Sequence, residues 1–129
     1  MKKNQICFTL LALFVVITGC GGDFVPTGGK VSYEDGSPVT KGGIVFQTST
    51  FMADGQIQSD GTYTLSSLKP GDGLPPGTYT VTISSEERDA KDQLVYFVDP
   101  KFSNPKTSGL SAEVSKGNSK FDFTVTKPK

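Results

Sequence analysis

Gly73-Leu74-Pro75-Pro76-Gly77-Thr78-Tyr79-Thr80-Val81-Thr82-Ile83-Ser84 is the stretch on which the fold turns. Tyr79, Val81 and Ile83 alternate with Thr78, Thr80, Thr82 and Ser84. A period of two gives an extended chain one apolar face and one hydroxylated face. Aromatic and β-branched side chains fill both faces, as suits a pleated, half-buried strand. Pro75, Pro76 and Gly77 cannot continue a helix or a central strand, so they turn the chain into this one. An antiparallel strand with one wet face follows, with Thr80 and Thr82 expected in water and Tyr79, Val81 and Ile83 to be covered by the rest of the chain.

The same alternation recurs on both sides. Val31 and Tyr33 alternate with Lys30 and Ser32 before a turn at Glu34–Pro38. Ile44–Thr48 and Gly55–Gln58 read as the next two strands. Ser59-Asp60-Gly61 turns the chain into Tyr63 and Leu65, which alternate with Thr62, Thr64 and Ser66. This is the sharpest hairpin signal in the chain. Beyond the central strand, Leu110, Ala112 and Val114 alternate with Ser111, Glu113 and Ser115. After a turn at Lys116–Asn118, Phe121, Phe123 and Val125 do the same. Seven short strands, Gly/Pro turns and no helical period predict an all-β sandwich. Its expected core is Val31, Tyr33, Ile44, Phe46, Ile57, Tyr63, Leu65, Tyr79, Val81, Ile83, Leu110, Val114, Phe121, Phe123 and Val125.

Between the central strand and Leu110 lies an excursion, residues 86–109, without a clear period. Glu86–Asp92 reads as its mobile part. Leu94–Val98 and Phe102 are too apolar to leave in water. Pro100 and Pro105 suit an extended path over a sheet edge. Tyr96 and Phe102 are the candidate ligand contacts here, with Phe102 read first as a plug for the open end of the sandwich.

The chain has 129 residues, 15 Gly, 8 Pro, no His and no Trp, with 13 basic and 13 acidic side chains. This is one domain's length. Its start has its own logic. Lys2 and Lys3 precede an apolar run, Ile6–Ile17, broken only by Thr9. The run is shorter than the roughly 18–20 residues a membrane-spanning helix needs, and the layout is that of a secretory signal. Ile17-Thr18-Gly19-Cys20 resembles the bacterial lipobox. That resemblance implies a signal over residues 1–19, an acylated Cys20 opening a tether over 20–26, and a β-domain over 27–129. Two or more acyl chains hold a protein on a membrane stably, where one does so marginally. Removing Lys2 and Lys3 leaves two more acidic than basic side chains, so the basic footprint of a nucleic-acid binder is missing. Cys7 departs with the signal and Cys20 is blocked, so the domain is expected to rest on its core without a disulfide.

Gly28–Val39, Gly43–Phe46, Ser59–Leu65 and Leu74–Val81, in this order, resemble the carboxypeptidase regulatory-like domain, a transthyretin-like, seven-stranded Greek-key sandwich. The tail from Asp99 to Leu110, followed by Asn118–Phe123, resembles a subgroup of small bacterial lipoproteins built from that domain alone. The resemblance covers roughly residues 27–126. It implies an extracytoplasmic setting in the cell envelope and no activity of its own.

Other chemistry finds little support in the residues. Without His or a free thiol, the usual general base and the thiol nucleophile are missing, so no enzyme and no cofactor are expected. Asp-Gly pairs at Asp35, Asp54, Asp60 and Asp72 are scattered over four turns. Calcium would need several carboxylates in one loop, so they read as turns and no metal is expected. Lys30 and Asn118 are the pair for an isopeptide staple, but Lys30 shares its face with Ser32 and Asn118 reads as a turn residue. The Thr78-Thr80-Thr82-Ser84 row reads first as a solvated face and second as a glycan platform. The expected role is a lipid-anchored structural or protein-binding module of the envelope. The alternative is a carbohydrate- or peptide-binding accessory subunit.

Overall fold

The computed structural model of the chain describes residues 24–129, which form a β-structure without an α-helix. Nine strands occur: β1 (Gly28–Tyr33), β2 (Gly43–Gln47), β3 (Met52–Gln56), β4 (Thr62–Thr64), β5 (Gly77–Ser84), β6 (Glu86–Arg88), β7 (Leu94–Tyr96), β8 (Leu110–Val114) and β9 (Phe123–Val125). One sheet runs β3-β2-β5-β8, the other β4-β1-β9, and β6 and β7 pair only with each other. The four-stranded sheet is antiparallel throughout, whereas β1 and β9 run parallel.

The two larger sheets close on one core. Phe46 of β2 lies at its centre, fully buried. Its ring centroid is 6.3 Å from Tyr79 of its own sheet. From the opposite side come Tyr63 at 6.3 Å, Phe121 at 5.9 Å and Phe123 at 6.0 Å. Tilted and edge-on rings at these distances attract beyond the area they bury. Val31, Ile44, Val81, Ile83 and Val125 complete a dry interior. The buried tyrosines keep their hydroxyls satisfied: Tyr63 donates to the Phe121 carbonyl at 2.6 Å and Tyr79 to the Pro75 carbonyl at 2.7 Å. Burial pushes both phenols up from their ordinary value, Tyr63 the further. Among the described residues no buried side-chain nitrogen or oxygen lacks a partner.

Most of the expected core is there, and the departures have physical reasons. Tyr33, Leu110, Phe121 and Phe123 pack against the core half-buried, because β1, β8 and β9 reach it at their ends or from sheet edges. Val39, Ala53, Leu74 and Val98 join it from turns and from positions outside the expected strands, and Ala112 joins it on the alternating apolar face of β8. Nine strands replace the expected seven; the added pair is the β6–β7 hairpin inside the excursion. β3 lies further back than Gly55–Gln58, because Gln47 pairs with Met52 and Phe46 with Ala53. Thr82 is buried, 8 % exposed, and does not face water. β8 pairs with β5 only as far as Val81, and the short 3₁₀ helix Pro100–Ser103 packs against β5 as well.

The turn at Ser59-Asp60-Gly61 forms as expected. The Gly61 amide donates to the Gln58 carbonyl, and Asp60 accepts from the amide and hydroxyl of Thr62, which holds its carboxyl below the usual range. The strands that it joins nevertheless enter different sheets, β3 beside β2 and β4 beside β1.

Candidate functional site

The N-terminal segment and the excursion mark opposite poles. Val25 exchanges two backbone hydrogen bonds with Leu74, at 2.8 and 3.2 Å, just before β1 begins. Phe24 stacks edge-on against Phe51 in the β2–β3 turn, so this turn lies at the same pole. β1 then carries the chain about 20 Å to Tyr33. There the Tyr33 hydroxyl donates to the Phe97 carbonyl at 2.7 Å. The β6–β7 hairpin stands at this far pole, beyond the end of β5.

Apart from Met52 and Leu68, the exposed large apolar side chains of the described chain are grouped on this hairpin. Leu94, Val95 and Tyr96 are 45, 40 and 37 % exposed, opposite Arg88, Glu87 and Glu86. Its loop is tied by Asp89, whose carboxylate accepts from the amides of Lys91 and Gln93. Asp92 takes a positive φ of 62°, tolerable for an Asp in a tight turn. One face turns back on the body: Lys41 reaches Glu87 at 3.1 Å and lies 4.0 Å above the Phe97 ring. The exposed Lys41–Glu87 pair adds little by itself, and the cation–π contact adds a second tie at the same place. The Phe97 amide donates to the Ser85 carbonyl at 2.8 Å and closes the hairpin's base.

Below the hairpin, Tyr33, Glu34, Asp35, Val125, Thr126 and Lys127 line a shallow groove of about 210 Å³. Lys127 lies 5.2 Å above the Tyr33 ring. Partial burial raises the Tyr33 phenol, with the Asp35 charge adding to it; the Ser37 hydroxyl and amide hold Asp35 itself below the usual carboxylate range.

The candidate residues separate. Tyr96 sits on the exposed face of β7. Phe102 is 6 % exposed, in the 3₁₀ helix that Asp99 caps, and belongs to the core rather than to a binding surface. The segment expected to be mobile, Glu86–Asp92, is the first strand and turn of the hairpin, and Leu94–Tyr96 is left in water where burial was expected. Lys41 and Phe97 were missed as site residues. The signal for the hairpin was Asp89-Ala90-Lys91-Asp92-Gln93, a polar turn between a charged and an apolar triplet. Lys30 is exposed, and Asn118 donates to the Glu113 carbonyl within its turn, so the two do not form a buried pair. Of the Thr78–Ser84 row, Thr78 and Ser84 are exposed, but buried Thr82 interrupts it as a flat platform. Cys20 and the rest of the N-terminal segment lie outside the described residues. Among the described residues no group of three His, Cys, Asp or Glu is placed to hold a metal.

No family model matches the chain, and no curated protein matches it. Among solved structures it is similar to the crystal structure of a variant of BcpA, the major pilin subunit of Bacillus cereus, with a TM-score of 0.49 and 9 % identity over 82 % of this chain. The chain spans 30 % of that pilin's length.

Proposed function

We propose that this chain is a lipid-anchored lipoprotein of the bacterial cell envelope, a non-catalytic, transthyretin-like Greek-key module that holds or binds another envelope protein outside the cytoplasm. The observation that carries this reading is the opposition of the two poles. A chain acylated at Cys20 enters the sandwich at Val25 and presents the Leu94-Val95-Tyr96 hairpin at the end away from the membrane. Exposed apolar residues grouped on one projecting element favour a protein contact. Tyr96 beside Leu94 supplies the amphipathic aromatic anchor that such contacts use. The sequence has no His, and on this reading Cys7 leaves with the signal and Cys20 is acylated, which supports a binding or structural role over catalysis.

Two measurements test the two halves. Cys20→Ser is expected to abolish fatty-acid labelling and membrane fractionation; a variant that still takes up labelled palmitate overturns the anchor. Replacing Leu94, Val95 and Tyr96 together by Ser is expected to leave the melting temperature within a few degrees while removing cross-linked envelope complexes. Complexes that survive this replacement place the contact elsewhere.

A further inference from the structure

The large apolar side chains left in water fall at the two ends of the sandwich. Leu94, Val95 and Tyr96 stand on the far hairpin. Met52 and Leu68, 59 and 77 % exposed, stand at the pole where the chain enters. Met52 opens β3 directly after Phe51, whose ring centroid lies 5.8 Å from that of Phe24. Leu68 belongs to a loop, residues 67–72, that leaves from Ser66 and returns at Gly73. The Gly73 amide donates to the Leu65 carbonyl at 3.1 Å, next to the Val25–Leu74 bonds, so the loop projects at the same pole. The two side chains share a rim. Asp54 and Ser66 exchange backbone bonds at 3.0 and 2.8 Å, and two residues further toward the pole on either side come Met52 and Leu68.

The loop holds Leu68 out in a fixed way. The Asp72 carboxylate accepts from the Leu68 and Lys69 amides at 3.1 and 3.0 Å, and the Gly71 amide donates to the Ser66 hydroxyl at 2.8 Å. What covers this rim follows from the chain that leads to it. Phe24 is four residues from Cys20, and four residues fully extended reach about 14 Å at most.

We infer that the Met52–Leu68 rim rests on the lipid surface itself, both side chains entering the boundary between headgroups and acyl chains. The inference rests on the acylated-Cys20 reading and adds a non-covalent contact to the covalent anchor. Apolar side chains gain burial at that boundary. A neighbouring Lys keeps its ammonium among the lipid phosphates while its stem stays in apolar surroundings. Lys69, exposed and next to Leu68, has that place. Asp72, the acid of the loop, spends its carboxylate on the loop's own amides, and Asp54 stands two residues further from the pole. A rim contact beside the tether fixes the tilt of the sandwich and keeps the hairpin pointing away from the bilayer.

The chain has no Trp, so a single introduced one reports its surroundings. The full chain, expressed with its own N-terminus and purified from membranes, is placed in vesicles of phosphatidylethanolamine and phosphatidylglycerol, with and without brominated acyl chains. Leu68→Trp fluorescence is expected to be quenched by the brominated lipid, and Leu94→Trp at the far pole to be unaffected. Adding Met52→Asp to Leu68→Trp should remove most of the quenching. All three positions are exposed, so the variants should melt as the native chain does, and thermal unfolding checks this. Flotation with the vesicles but no quenching at Leu68→Trp overturns the contact and leaves the anchor standing. So does equal quenching at Leu94→Trp, or quenching that survives Met52→Asp, since the tether alone then explains it. A chain that neither takes up labelled palmitate nor floats overturns the anchor, and this contact with it.

Discussion

The Tyr33 hydroxyl donates a 2.7 Å hydrogen bond to the Phe97 carbonyl, 64 residues along the chain. This contact ties the end of β1 to the foot of the β6–β7 hairpin, whose own six strand residues are all exposed. An isolated two-stranded hairpin is marginal in water. Its standing orientation therefore depends on the Tyr33 bond, the Phe97–Ser85 backbone bond and Lys41 over the Phe97 ring.

Tyr33→Phe removes that bond while keeping the ring. Global stability should fall by about 0.5–1.5 kcal/mol. Hydrogen exchange at the Phe97 amide and at hairpin amides should quicken more than exchange in β2 or β5. Uniform change across the sheets would show that the hairpin is not held separately.

Val81→Asp places an unpaired carboxylate in a fully buried site and should unfold the domain, because the cost of several kcal/mol is a large share of a typical stability. Thr80→Asp, on the half-buried outer face, should be tolerated. Thr82→Asp should resemble Val81→Asp, since Thr82 is covered. Chemical denaturation of the three variants checks the order; a Thr82 variant as stable as the Thr80 variant contradicts the burial.

Phe102→Ala should cost about 3–5 kcal/mol, the loss expected for a buried ring replaced by a cavity. Near-native stability would return Phe102 to the role of a surface contact.

Asp72 organises residues 67–73. Its carboxylate accepts from the Ser67, Leu68 and Lys69 amides at 2.8, 3.1 and 3.0 Å and from the Ser67 hydroxyl. Desolvation raises its pKa, and the amide bonds outweigh this, so the folded value lies below 3.8. The stabilisation from this group is therefore complete above the unfolded value and is lost as pH falls through the lower, folded one. Asp72→Asn should reduce stability at neutral pH and flatten its fall as the pH drops below the ordinary carboxylate range. An unchanged acid profile in urea unfolding would assign the acid sensitivity to other carboxylates.

What a local pattern can encode, the sequence determined. A period of two fixes which side of each strand is dry, and Val31, Ile44, Phe46, Tyr79, Val81 and Ile83 are buried as that rule requires. Asp60-Gly61 specified its turn because Asp bonds its own backbone and Gly accepts a φ of 85°. Only tertiary structure decided how the strands are shared between sheets, because pairing joins residues far apart in the chain. The parallel partnership of β1 with β9 has no local signature. Nor does the assignment of β3 and β4 to different sheets across a tight turn. The hairpin hid for a related reason: Glu86-Glu87-Arg88 is a poor strand former, and Leu94-Val95-Tyr96 reads as core. What holds them together in water is Tyr33 and Lys41, brought up from the other end of the sequence.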